Sequence, residues 1–336
     1  MQTPNISRRH LLATATAAGG LAVTAGIRAA VAQGGMRIEP FDPALDRIIS
    51  TSAPITVLAA GYGGDLGPAE GPLWWKEGGY LLFSDIHNNR RIKYTPGQGA
   101  TVFKEPTNRA NGLTRDLAGR LVACEHDTRR VTRIEADASV TVIANSFQGK
   151  RLNRPNDVVV KSDGAYYFTD PGANLLQEQW DLNFSGVYRV SADLGSMSLL
   201  LNHLVNPNGL AFSPDESVLY VIDSRRRSIL AYDVLPNGML ARHTERVFAD
   251  LGGPEPGNPD GMKVDNAGNV YSGGAGGIWI LDPVGKKLGR IVHGQPSTSN
   301  IAFGGDDWKT LYFTNRNQLG SVNVKIAGVP VPVAKK

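Results

Sequence analysis

One phrase recurs six times along the chain: a polar residue, a small residue or proline, an apolar run, a turn, then a second apolar run ending on a polar residue. Glu70-Gly71-Pro72-Leu73-Trp74 leads to Leu81-Leu82-Phe83-Ser84-Asp85, and Asn111-Gly112-Leu113 leads to Leu121-Val122-Ala123-Cys124-Glu125. Asn156-Asp157-Val158-Val159 leads to Tyr166-Tyr167-Phe168-Thr169-Asp170, and Asn208-Gly209-Leu210-Ala211-Phe212 to Leu219-Tyr220-Val221-Ile222-Asp223. Asp260-Gly261-Met262-Lys263-Val264 leads to Val270-Tyr271-Ser272-Gly273-Gly274, and Asn300-Ile301-Ala302-Phe303 to Leu311-Tyr312-Phe313-Thr314-Asn315. From leading to closing residue the separations are 15, 14, 14, 15, 14 and 15, and successive leading residues stand 41, 45, 52, 52 and 40 apart. A period of this size is the mark of a repeat architecture.

The turns between the two runs carry Asp, Gly and Pro, as at residues 116–119, 162–164 and 213–215. A third run of β-branched and aromatic character follows in each copy, for example Gly186-Val187-Tyr188-Arg189-Val190 and Gly277-Ile278-Trp279-Ile280-Leu281. A weaker fourth is visible after some, such as Arg246-Val247-Phe248-Ala249. Four short strands, six times over, predict an all-β chain folded as a six-bladed β-propeller around a central channel. The last copy lacks a fourth strand downstream, whereas Ile55-Thr56-Val57-Leu58 precedes the first copy without a blade. This N-terminal strand is expected to close the ring. One propeller domain is expected over residues 55–328, after an extension at 33–54 and before a tail at 329–336.

The N-terminus breaks the pattern. Ser7-Arg8-Arg9-His10-Leu11-Leu12 is followed by a mild apolar stretch and by Ala30-Val31-Ala32. A basic start, an apolar middle and an A-x-A end describe an export signal over residues 1–32, cleaved after Ala32, with the arginine pair pointing to the twin-arginine machinery. The expected location is the periplasm or the exterior. The signal lacks a cysteine for a lipid anchor, and its arginines account for three of the formal +4 charges, leaving +1. A nearly neutral chain has no electrostatic footprint for nucleic acid or an anionic membrane, and no obligate protein partner is evident. The single cysteine, Cys124, sits in an apolar run and is expected to be a buried, inert thiol.

Glu70, Asn111, Asn156, Asn208, Asp260 and Asn300 occupy one phase of the repeat. In a propeller they lie at one depth around the axis, so their oxygens converge on the channel. Two carboxylates and several amides, without Cys or His, are hard ligands suited to one divalent ion, Ca²⁺ above all, with Mg²⁺, Mn²⁺ or Zn²⁺ as alternatives. Asn-Gly and Asp-Gly are also common turn dipeptides. Turns need no common phase, however, and the turns of this chain lie between the two apolar runs.

The phrases Glu70-Gly71-Pro72, Arg154-Pro155-Asn156-Asp157, Pro207-Asn208-Gly209-Leu210-Ala211-Phe212-Ser213 and Pro259-Asp260-Gly261-Met262 resemble those of the gluconolactonase/senescence marker protein-30 family. The resemblance covers residues 55 to about 325. It implies a six-bladed propeller with one divalent cation in the channel and hydrolysis of sugar lactones. It further implies metal ligands at Glu70, Asn208 and Asp260, with Asn156 as a fourth ligand or a substrate contact. Asp260 would be the catalytic acid/base and Arg154 would hold the substrate. After Phe168-Thr169-Asp170-Pro171 this chain reads Gly172-Ala173-Asn174, where relatives often carry an acidic or aromatic substrate contact.

Asn111 and His126 complete the expected substrate contacts; His126, in Glu125-His126-Asp127, is also a candidate base, and Glu125 shares that standing. No G-x-S-x-G elbow occurs. The leading expectation is a metal-dependent lactonase, in which the cation polarises the carbonyl. An organophosphate or aryl-ester hydrolase would use the same site, and a propeller that only binds a ligand is the remaining alternative. WD and kelch signatures of interaction propellers are absent from the sequence.

Overall fold

The computed structural model describes residues 35–172 and 175–334, so the expected signal at 1–32 lies outside the described residues. The fold is a six-bladed β-propeller. Blade 1 comprises Ala69–Trp75, Tyr80–Asp85, Arg90–Thr95 and Gly99–Lys104. Blade 2 comprises Ala110–Arg115, Leu121–Glu125, Arg130–Ile134 and Val140–Ala144. Blade 3 runs Val158–Val160, Tyr166–Asp170, Gly186–Val190 and Met197–Leu201. Blade 4 runs Pro207–Phe212, Val218–Asp223, Ser228–Val234 and Leu240–Asp250. Blade 5 is built from Met262–Val264, Val270–Gly274, Gly277–Leu281 and Lys287–Val292, and blade 6 from Thr298–Gly304, Thr310–Asn315 and Gln318–Asn323. All pairings are antiparallel.

The second strand of each blade is buried along nearly its whole length, as in Leu121–Glu125 and Tyr166–Asp170. Both faces of a blade pack on neighbours, so these strands read as continuous apolar runs instead of alternating. Apolar clusters fill the junctions between blades, one of them running continuously through blades 5, 6 and 1. Val122, Val131, Phe168 and Tyr188 join blades 2 and 3; Tyr167, Leu201, Leu219 and Tyr232 join blades 3 and 4. The outermost strands are more exposed, and Cys124 is fully buried, its thiol pushed well up by that burial.

The first strands touch one another around a complete ring, in the order of blades 6, 1, 2, 3, 4, 5 and back to 6. The ring is tightest just after the leading residues. A Cβ on Gly71 would stand 2.3 Å from the Asn111 carbonyl oxygen, and one on Gly209 would stand 2.4 Å from that of Asp260. At Gly112 the obstacle is the Asn156 oxygen, at 2.6 Å. Gly112 and Gly209 donate N–H bonds of 2.9 Å to those same oxygens of Asn156 and Asp260. The Asn-Gly and Asp-Gly pairs are therefore not turns. Their glycines admit the neighbouring blade's backbone.

The N-terminal extension is more structured than the sequence suggests. Arg37–Pro40 pairs with Lys287–Val292 as a fifth strand on blade 5, and Leu45, Ile48 and Ile49 are buried behind it. Thr56–Ala60 pairs with Gln318–Asn323, so blade 6 takes its outer strand from the N-terminal side of the chain. The C-terminal tail lies across the far ends of the inner strands: Val329, Pro330, Val331 and Val333 line a cavity of about 270 Å³ with Leu73, Val160, Phe212 and Phe303.

Gly209→Ala is expected to destabilise the fold by about 2 kcal/mol, the scale of overpacking against fixed backbone. Gly97→Ala, at φ +76 with open space around the added methyl, should cost only about 1 kcal/mol through backbone strain. Urea melts of the two variants check the order.

Candidate active site

The leading residues sit where they do because the closing residues hold the loops before them. Asp85 accepts the Gly63 N–H at 2.7 Å, and Asp170 accepts that of Asn153 at 2.8 Å. Asp223 accepts Val205 N–H at 2.8 Å and Asn206 N–H at 3.2 Å. In blade 2 the clamp is side chain to side chain, Asn108 Nδ2 to Glu125 at 3.0 Å. Glu125 is further held by Thr128, Arg130 and Thr132, which makes it a structural carboxylate and removes it from the candidate bases. Asp170 also accepts the backbone N–H of Arg154 and, being buried, has its carboxyl raised to about 7.

Glu70, Asn111, His126, Arg154, Asn156, Asn208 and Asp260 all line one cavity of about 370 Å³ at the upper end of the inner strands. All the expected ligand and substrate-contact residues are thus in one place, whereas Glu125 lines a different cavity. Leu66, Pro68, Ile86, His87 and Pro171 complete its wall. Asn300 lies beneath it, only 3% exposed. Its amide donates to Glu70 Oε2 at 3.0 Å and to Asp157 Oδ2 at 3.4 Å, while its oxygen accepts Ile301 N–H. Asn300 therefore ties the floor together and presents no free oxygen to the cavity.

The floor is strongly acidic. Glu70 is pushed above the usual carboxylate range, first by burial and then by the charge of Asp157. Burial, then the charge of Glu70, then that of Asp157 drive Asp260 well up, against a hydrogen bond from the Asn208 side chain. Asp157, 2% exposed, is a residue the sequence reading passed over as a site residue. A signal was present: the position after the leading residue is Gly in four copies but Asp in the third. Its carboxylate fills the space beside Gly112, where an added Cβ would stand 2.6 Å from Asp157 Oδ1. His87 was also missed, since nothing in its sequence context marks it; its ring fills the space that Gly67 leaves open.

One wall is cationic and hydrogen-bonded. Arg154 Nη2 lies 3.0 Å from His126 Nδ1. An arginine only donates, so Nδ1 accepts and the neutral imidazole keeps its proton on Nε2. The ring is neutral because burial, followed by the charges of Arg154, His87 and Arg109, lowers it to about 3. Nε2 lies 3.3 Å from the Asn111 amide nitrogen, and Asn111 Oδ1 is buried without a partner. With the amide turned over, its oxygen receives Nε2–H, which satisfies the imidazole proton.

The donor set suits a hard cation. Glu70 Oε2 is engaged by Gly71 N–H and Asn300, and among the described residues no donor meets Oε1. Asn208 uses its amide nitrogen toward Asp260, which leaves its oxygen available. Among the described residues no three His, Cys, Asp or Glu side chains form a cage by themselves. The amide oxygens of Asn156 and Asn208 are needed to complete one, as expected for an oxygen-rich site of low carboxylate count.

The sequence profile of the SMP-30/Gluconolactonase/LRE-like region matches residues 68–317. A gluconolactonase of Zymomonas mobilis is 34% identical over 365 residues, spanning 98% of this chain and 100% of that protein. A pentonolactonase of Haloferax volcanii is 29% identical over 256 residues, spanning 73% of this chain and 80% of its own length. The solved structure of a gluconolactonase from Xanthomonas campestris matches with a TM-score of 0.77 at 32% identity, covering 87% of this chain and 96% of that one.

The His126 environment has a pH signature. The folded ring, lowered to about 3 from its ordinary 6.5, forgoes a proton that the unfolded chain takes up as pH falls below that ordinary value. Its contribution to stability is thus present above about pH 6.5 and lost as pH falls toward 3. Relative to His126→Gln, the wild type should lose about 1 kcal/mol per pH unit between about pH 6 and 4 in denaturant melts. Equal slopes for both proteins would show that the ring protonates freely in the fold.

Proposed function

The chain belongs to the SMP-30/gluconolactonase/LRE-like family, and on that footing we propose that it is a lactonase, a carboxylic ester hydrolase that opens small sugar lactones. The observation that carries the reading is the single cavity in which two buried carboxylates, three asparagines and the Arg154–His126 pair converge. The reading assigns a divalent cation, Ca²⁺ first, to Glu70, Asn156, Asn208 and Asp260. Held there, such an ion supplies Lewis-acid polarisation of the lactone carbonyl and stabilises the developing oxyanion.

The chain's own residues do the rest. Asp260 accepts a proton from the attacking water as its oxygen bonds to the carbonyl carbon. It returns the proton to the ring oxygen as the C–O bond breaks, giving the open hydroxy acid. Arg154, steadied through its backbone by Asp170 and through its guanidinium by His126, donates to substrate oxygens, with Asn111 beside it in the cavity wall. Glu70, too deep to meet a sugar, serves as a ligand and not as a base. The reading also includes export by the twin-arginine route, carried by Arg8-Arg9 and Ala30-Val31-Ala32.

Asp260→Asn is expected to lower kcat on δ- and γ-sugar lactones by about a hundredfold or more, with circular dichroism unchanged. Full activity in that variant would remove Asp260 from the chemistry. Calcium added to chelator-treated protein should raise the thermal midpoint, since an ion bound only by the folded state stabilises it. Glu70→Gln should abolish that rise, and an undiminished rise would place the ion elsewhere.

A further inference from the structure

A second cavity, separate from the catalytic one, lies between blades 1 and 2. It measures about 50 Å³ and is lined by Arg91, Lys104, Thr107, Asn108, Glu125 and Arg130 among others. Arg91 is only 3% exposed, on the third strand of blade 1, where it pairs with Ser84 and Lys104. Its Nε and Nη1 are buried and have no hydrogen-bond partner, and among the described residues no carboxylate lies within ion-pair distance of it. Desolvation of a guanidinium without compensation is among the more costly arrangements in a protein interior.

The one acid in the cavity does not meet that need. Glu125 Oε2 is taken by Asn108 Nδ2 at 3.0 Å, Thr128 Oγ1 at 2.6 Å and Arg130 Nε at 2.8 Å, and Oε1 by Thr132 Oγ1 at 3.0 Å. Three cations therefore face one carboxylate that already has four donors. The surplus is positive, and Arg91, with two unpartnered nitrogens, lines the cavity. Water relieves an unpaired dipole but leaves the net charge in place, whereas a small anion answers both. The space exceeds what one water needs, and Lys104, an exposed residue, stands at the rim as the way in.

We propose that this cavity is a site for a small inorganic anion, chloride or phosphate, held by Arg91 with Lys104 and Arg130. Bound there, the anion joins the third strand of blade 1 to blade 2. It also steadies Thr107 and Asn108, in the loop that leads into Asn111.

Crystals of the full chain soaked in sodium bromide are expected to show an anomalous peak in this cavity, absent from Arg91→Met crystals. In solution, chloride or phosphate at about ten times its dissociation constant should raise the thermal midpoint by about 3 °C over a bulky sulfonate at equal ionic strength. Lys104→Gln, a change at an exposed side chain that leaves folding untouched, should weaken the response several-fold. A response to chloride alone marks a halide site and a response to phosphate alone an oxyanion site. Absence of bromide from the cavity together with equal midpoints in all anions overturns the proposal, as does a rise that persists unchanged in Lys104→Gln.

Discussion

The close approach of neighbouring inner strands at the leading residues governs this molecule. Where Gly71, Gly112 and Gly209 admit the carbonyls of Asn111, Asn156 and Asp260, the ring contracts until no side chain fits between adjacent backbones. The residue before each glycine has then only one direction for its side chain, the axis. The convergence of oxygen-bearing groups is a geometric consequence of that contact, and the chemistry of the cavity follows from the contact before any ligand is considered.

Crowding carboxylates at the axis has an electrostatic cost, and the fold concentrates it. Asp157 raises the proton affinity of Glu70 and of Asp260, Glu70 raises that of Asp260, and the charge of Lys263 opposes this at Glu70. Such a trio is poorly accommodated by protein alone, because each buried charge lacks a partner of opposite sign. On the proposed reading a divalent cation would relieve the repulsion in one step and make Glu70 and Asp260 favourable as ligands. Asn300 holds Glu70 and Asp157 in place from below, which keeps the trio organised whether or not the ion is bound.

The architecture was legible because the repeat has a fixed phase, and phase survives wide variation in loop length. The same phase exposed Glu70, Asn156, Asn208 and Asp260 as convergent residues, while Arg154 and Asp260's role came from family resemblance. What stayed hidden had no periodic signature. Arg37–Pro40 pairs with a strand about 250 residues away, and a four-residue edge strand leaves no pattern of its own. Glu125 and His126 are neighbours in sequence, yet they face different cavities: the acid is bound into the blade junction and the imidazole into the channel wall. Strand alternation separates adjacent side chains in this way, so proximity in sequence misassigned the acid.

The two ends of the channel are built for different purposes, and the clamps explain why. Asp85, Glu125, Asp170 and Asp223 fasten the loops at the upper end, so these segments hold fixed positions without an apolar core of their own. Rigid loops let Arg154 stand half-buried, and among the described residues its guanidinium is held by a neutral imidazole and forms no ion pair. At the lower end carboxylates such as Asp116 and Glu216 brace the turns as well, but there the apolar tail from Val329 onward covers the inner strands. A substrate rich in hydroxyls finds donors, acceptors and charge at one mouth and hydrocarbon at the other. On the proposed reading, solvation therefore favours entry from the clamped end, where Arg154 and Asp260 line the same cavity.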